Sequence, residues 1–166
     1  MIQHLDYEID KEKYRNIFYE NLRHGRWHRD VPQRKELFCW QLFIPDKHHP
    51  MGQPHGGHLK PLIEPIEHDL NIHGMNNFPR FSYQFPNTLL GHHLDEDKMV
   101  AIHINLLDTT PIIHIEHNPH PYQCAFIDVG NIYHGVEPDP NPRLILKFAL
   151  RHSYDEVCER LDKVGL

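Results

Sequence analysis

The sequence predicts a mainly β protein, a sandwich or closed barrel of short strands, with a helix near each end. Three observations carry this expectation. From residue 79 onward the apolar residues recur with a period of two, in several short runs. Pro, Asn, Asp or Gly separates each run from the next. Outside that region, residues 11–24 and 153–165 carry the period of a helix instead. A length of 166 residues suggests one domain over 1–166, large enough for a substantial core. No internal repeat and no linker divides it.

Residues 11–24 place Tyr14, Ile17, Phe18 and Leu22 on one helical face, with Asp10 able to cap the start and Gly25 the end. Residues 37–44 are a continuous apolar run, LFCWQLFI, which reads as a buried strand. The following PDKHHPMGQPHGGH is a loop by its Pro and Gly content. Its histidines, His48, His49, His55 and His58, have no cysteine or carboxylate cluster beside them, so a mobile surface loop near a cavity mouth is expected there rather than a metal site. Residues 59–72, with Leu62, Ile63, Ile66 and Leu70 interrupted by Pro61 and Pro65, read as a short helix or an irregular packed segment.

In RFSYQF, Phe81, Tyr83 and Phe85 share one face and Arg80, Ser82 and Gln84 the other. In MVAIHINLL, Val100, Ile102, Ile104 and Leu106 alternate with Ala101, His103 and Asn105. PIIHIEH, QCAFIDV and RLILKFALR are further strands. The C-terminal helix opens on a capping box of Ser153 and Glu156, and Tyr154, Val157, Cys158 and Leu161 form its apolar face.

Composition excludes several classes. A net charge of −6 with histidines neutral is the wrong sign for a nucleic-acid partner. No apolar run approaches the roughly 20 residues that span a membrane. The N-terminus has no apolar signal core. Cys39, Cys124 and Cys158 are odd in number and far apart, which fits reduced thiols in a cytoplasmic protein better than a disulfide framework. Histidine is abundant, with 17 residues, and histidine is the commonest metal ligand.

That abundance also makes histidine motifs common by chance. His-x-acid occurs at His4–Asp6, His28–Asp30, His93–Asp95 and His114–Glu116, against roughly 2.4 expected if 17 histidines and 23 acids were shuffled over 166 positions. Context therefore has to select among them. His4 and His28 lie in polar segments before the strands begin, and His114–Glu116 is mid-strand. His93 and Asp95 lie between two strands, and residues i and i+2 of an extended backbone project to one side. His134 follows the apolar run CAFIDV and can supply a third ligand. Two histidines and one carboxylate with open positions suit a non-haem Fe(II) site that activates oxygen. His92 is the rival to His93, but its side chain should face the opposite way. Arg143 opens the last strand and suits a dicarboxylate co-substrate. Lys147 and Arg151 fall on the same face and could replace Arg143 or meet an acidic substrate.

The order of these pieces resembles the 2-oxoglutarate- and Fe(II)-dependent oxygenases, and within them the aspartyl/asparaginyl β-hydroxylase-like family. The resemblance rests on Phe81-Ser82, on Pro86-Asn87-Thr88 with His93 seven residues past the proline, and on His103-Ile104-Asn105-Leu106. It continues through Phe126-Ile127-Asp128 leading to His134, and Arg143-Leu144-Ile145. It covers about residues 79–151. Two departures stand out: Ala101 takes the place of the family's arginine, and Asp95 the place of a frequent glycine, which restores the His-x-Asp of the wider superfamily.

The resemblance implies a double-stranded β-helix, or jelly roll, of the cupin-like kind. It implies Fe(II) on His93, Asp95 and His134, and 2-oxoglutarate as co-substrate held by Arg143, Ser82 and His103. The implied reaction is a hydroxylation driven by oxidative decarboxylation of 2-oxoglutarate, on a peptidyl side chain or a small amino-acid-like substrate. The alternatives are a cupin-like enzyme that does not use 2-oxoglutarate, or a non-catalytic metal-binding jelly roll. A cupin should bring an early His-x-His and a nearby glutamate, which His92-His93 does not supply.

Overall fold

The structure, a computed structural model, describes residues 1–23, 28–29, 39–43, 57–95 and 99–166. Strand β1 (Ile2–His4) precedes helix α1 (Lys11–Arg23), followed by β2 (His28–Arg29), β3 (Cys39–Phe43) and helix α2 (Lys60–Asp69). Then come β4 (Asn77–Gln84), β5 (Leu90–His93), β6 (Val100–Asn105), β7 (Ile112–Ile115), β8 (Asn118–Pro121), β9 (Cys124–Ile127), β10 (His134–Val136), β11 (Arg143–Leu150) and helix α3 (Tyr154–Asp162). The strands form two antiparallel sheets, a major one ordered β1-β9-β6-β11-β4-β3-β2 and a minor one ordered β5-β10-β7-β8. Two facing sheets fed by strands that alternate between them make a double-stranded β-helix.

The period of two in the strands sets up two apolar layers. Phe81, Ile102, Ile104, Phe126, Leu144, Leu146 and Phe148 leave one face of the major sheet and pack with Tyr14 and Phe18 of α1, Ile63 and Ile66 of α2, and Val157 and Leu161 of α3. Phe18 stacks on Tyr83 and Tyr154 on Phe126, at centroid distances of 5.9 and 4.6 Å. The opposite face sends Ala101, Ala125 and Ile127 toward Ile113 and Ile115 of the minor sheet. The alternation expected for β6 therefore holds, but both of its faces are buried, because helices cover one side and the second sheet the other.

Both terminal helices form where expected, α1 as far as Arg23, while the expected end at Gly25 lies outside the described residues. The Lys13 N–H donates to Asp10 Oδ1 at 3.0 Å, and the Glu156 N–H to Ser153 Oγ at 3.3 Å. Residues 60–69 are helical despite two prolines. Pro61 sits in the first turn, where its missing N–H costs nothing, and burial of Ile63 and Ile66 outweighs the hydrogen bond lost at Pro65. Strands β1, β2, β5, β8 and β10 have no counterpart in the sequence expectation, which places His4 and His28 before the strands begin. β8 contains Pro119 and Pro121, tolerable because it is an edge strand. The expected 37–44 strand is described over Cys39–Phe43. Of the histidine-rich loop, His48, His49 and His55 lie outside the described residues, while His58 is exposed in a 3-10 turn at Gly57–Leu59.

Candidate functional site

The antiparallel pairing of β10 with β5 sets His134 directly opposite His93. Paired residues point to the same face, so both imidazoles enter the space between the sheets, with ring centroids 4.4 Å apart. Asp95 lies two residues past His93, and its N–H donates to Val129 O at 2.9 Å, which fixes the chain as it leaves β5. His93 Nε2 lies 3.3 Å from Asp95 Oδ1, and His134 Nε2 lies 4.0 Å from Oδ2. Among the described residues these three are the group whose donor atoms all fall within 4.8 Å of one another.

The backbone sets the tautomers. His93 Nδ1 is 2.8 Å from Gly91 O, and His134 Nδ1 is 3.2 Å from Ile132 O. A carbonyl only accepts, so both Nδ1 atoms carry the proton. In a neutral ring protonated at Nδ1, Nε2 keeps the lone pair that can bind a metal. Burial pushes the His134 pKa down to about 4, against the pull of Asp95, so this ring is neutral at pH 7. Burial opposes ionisation of Asp95, but the neighbouring Lys147 ammonium outweighs it and holds the group well below the usual carboxylate range. Two imidazole nitrogens and a carboxylate oxygen within 4.8 Å of one another are donors that one cation can share. The donor set and its orientation therefore fit a divalent metal ion with positions left open.

A second polar group lies on the inner face of the major sheet. Arg143 donates through Nη1 to Gln84 Oε1 at 3.2 Å and through Nη2 to the Tyr122 hydroxyl. Its Nε is buried without a partner. His103, 4 % exposed, has neither ring nitrogen hydrogen-bonded, and its ring is 6.0 Å from that of Tyr122. Burial, with Lys147 and Arg143 nearby, drives its pKa well down, so it is a neutral imidazole with an unsatisfied donor and acceptor. Buried polar atoms of this kind call for a partner. A polar ligand between Arg143 and His103 would satisfy them. Ser82, paired in register with Ile145, lies on the same inward face. A cavity of about 220 Å³ opens beside Arg143, lined also by Thr109, His114, Glu137 and Asp139. His93, Asp95 and His134 do not line it, so it is separate from the candidate metal site.

Lys147 was read from the sequence as an alternative to Arg143. It lies opposite His103 in register, with Nζ 3.4 Å from Asp95 Oδ2, so it borders the His93–Asp95–His134 group. Burial and then Arg80 push its pKa down, against the pull of Asp95. Arg151 lies beyond the end of β11, its guanidinium 5.1 Å above the Phe78 ring. His92 faces away from His93, with its ring 4.2 Å from that of His117. Ala101 is fully buried between the sheets opposite Ala149, which leaves no cation at that position. Tyr122 was missed. It sits between strands, and only the return of the chain across the sheet brings it to Arg143.

No protein-family model matches the chain, and no curated protein matches it in sequence. Solved structures do match in fold. The non-haem α-ketoglutarate-dependent carbocyclase SnoK from nogalamycin biosynthesis superposes with a TM-score of 0.61 at 12% identity, covering 97% of this chain and 85% of that one. A Pseudomonas putida prolyl-4-hydroxylase gives 0.59 at 15% identity, covering 92% of each chain. The DMSP lyase DddQ from Ruegeria pomeroyi gives 0.54 at 13% identity, covering 87% of this chain and 65% of that one.

Proposed function

We propose that the protein is an Fe(II)- and 2-oxoglutarate-dependent dioxygenase, a hydroxylase of a peptidyl side chain or a small amino-acid-like substrate. The observation that carries this reading is the convergence of two Nε2 lone pairs and one carboxylate between the sheets, with an arginine–tyrosine pair on the same inner face. His93, Asp95 and His134 would hold the iron. When bound, the metal supplies the oxygen chemistry, which protein side chains alone cannot perform.

The protein's own part is binding and orientation. The Nδ1 hydrogen bonds to Gly91 and Ile132 fix both imidazoles with Nε2 inward. Arg143 presents a planar fork suited to the far carboxylate of 2-oxoglutarate, and the Tyr122 hydroxyl adds a third donor beside it. His103 offers one ring nitrogen as donor, and Ser82 a hydroxyl. Lys147 holds the second oxygen of Asp95 and can meet an acidic group on the substrate. Asp95 in the ligand set favours the wider oxygenase superfamily, and the arginine absent at Ala101 separates the chain from most of the aspartyl/asparaginyl β-hydroxylase-like family. Cys124 and Cys158 are free thiols, which suits a reducing, cytoplasmic setting where iron stays ferrous.

The likeness to a DMSP lyase supports one other reading, a jelly-roll metal enzyme that does not use 2-oxoglutarate, since one fold hosts several chemistries. Anaerobic titration of the protein with Fe(II) and then 2-oxoglutarate separates the two. The proposal expects a metal-to-ligand absorption band, and succinate once oxygen is admitted. Metal binding with neither the band nor succinate moves the second reading ahead.

A further inference from the structure

Behind the strand that carries His93, three more imidazoles gather on the outer face of the minor sheet. Alternation along β5 turns His92 outward when His93 turns inward. His114 pairs in register with Gly135 of β10, the residue after His134. His92 and His114 therefore flank Gly135 from the two neighbouring strands, with ring centroids 6.4 Å apart. A side chain at Gly135 could not be accommodated, because its Cβ would lie 2.7 Å from Leu90 O and 3.1 Å from His92 N. The glycine lets β5 lean over β10, which brings His92 toward β7.

The third ring comes from the hairpin between β7 and β8. Ile115 pairs with Asn118, so Glu116 and His117 alone make the turn, with φ of 48° and 69°. A turn of this kind favours Asn and Gly; histidine tolerates φ > 0 better than most residues, whereas Glu116 holds it against its preference. The His117 ring lies 4.2 Å from that of His92. His92 Nε2 and His114 Nδ1 are buried without hydrogen-bond partners. Strained backbone and orphaned nitrogens together call for a ligand that three imidazoles can share.

We propose that His92, His114 and His117 form a second metal site, for one late first-row divalent cation of the Zn²⁺, Ni²⁺ or Cu²⁺ kind. An all-imidazole set suits these ions and is poor for Mg²⁺ or Ca²⁺. The donor atoms here are less tightly gathered than those of His93, Asp95 and His134. Metal entry would have to draw the three rings closer together than they stand here. The bound ion ties β5 to β7 across β10, the three strands that frame His93 and His134. This site does not depend on the oxygenase reading.

The test is Zn²⁺ titration by calorimetry, with metal per chain counted after dialysis. The wild-type protein should hold two ions per chain, and His117→Asn should hold one. Asparagine removes the imidazole but suits the left-handed turn, so loss of folding is not expected. In a His93→Ala/His134→Ala protein one ion should remain, bound at micromolar Kd or tighter. Adding His117→Asn to that protein should weaken it at least tenfold. Replacing His48, His49, His55 and His58 together should leave the count unchanged. The proposal is overturned if the wild type holds a single ion that only the His93/His134 changes remove. It is equally overturned if the second ion survives His117→Asn, or if it leaves with the four loop histidines. Should the His93→Ala/His134→Ala protein fail to fold, the comparison of wild type with His117→Asn decides alone.

Discussion

The ammonium of Lys147 lies 3.4 Å from Oδ2 of Asp95, while His93 Nε2 lies 3.3 Å from Oδ1 of the same carboxylate. One anion is thus shared between an imidazole and a buried cation. A metal entering this site meets the carboxylate and the lysine charge together. Repulsion between a divalent ion and a lysine a few ångströms away amounts to at least about 1–2 kcal/mol even when strongly screened. Lys147→Met should therefore tighten Mn(II) or Fe(II) binding by about tenfold, measured by metal titration of the metal-free protein. A tenfold loss instead would show that Lys147 acts mainly by orienting Asp95.

His134→Ala should abolish binding of Fe(II), or of Mn(II) as its substitute, to the His93–Asp95–His134 group. The fold should persist, because the two apolar layers are built by other residues and alanine buries no polar group of its own. Circular dichroism and metal titration check this together. Undiminished binding would place the metal elsewhere.

Arg143→Met should weaken 2-oxoglutarate binding to the iron-loaded protein by roughly two to three orders of magnitude. Removing one member of a buried charge pair costs about 3–5 kcal/mol, and about 1.4 kcal/mol is tenfold in affinity. Arg143→Lys should recover only part of the loss, since an ammonium cannot reproduce the fork. Tyr122→Phe should cost about tenfold, the order of one hydrogen bond. Iron affinity should barely change in any of them. If all three bind 2-oxoglutarate like wild type, the co-substrate assignment falls.

The neutral state of His134 gives a pH signature in the metal-free protein. Its pKa is about 4 when folded, against about 6.5 when unfolded. Between those values the unfolded state holds a proton that the folded state does not, so stability falls as pH falls through that window and levels off below it. The contribution is of order 2–3 kcal/mol. Urea denaturation at pH 7 and pH 4 should show a larger loss for wild type than for His134→Gln. Equal losses would mean that His134 is not buried in its neutral form.

Local pattern alone determined a good deal of this protein. The period of two in residues 80–85 and 99–107 fixed which side chains share a face, and the structure keeps that assignment for Phe81 against Ser82 and for Ile102 against His103. The two end helices and their caps, Asp10 and Ser153, were legible because capping is a contact over three residues. His93 and Asp95 could be paired because an extended chain sends i and i+2 to one side.

Tertiary structure alone decided the rest. His134 meets His93 only through the pairing of β10 with β5, and periodicity does not say which strands will pair. Pro119 and Pro121 weaken β8 as a strand by local rules, and only its edge position makes them tolerable. Arg143 and Lys147 look equivalent in the sequence, four residues apart on one strand face. That spacing, about 13 Å along a strand, carries one to Tyr122 and Gln84 and the other to Asp95. Tyr122 carried no local signal, since its role depends on which residue faces it from another strand. A side chain's direction is a local property of the backbone, whereas its partner is set by contacts between residues distant in the chain.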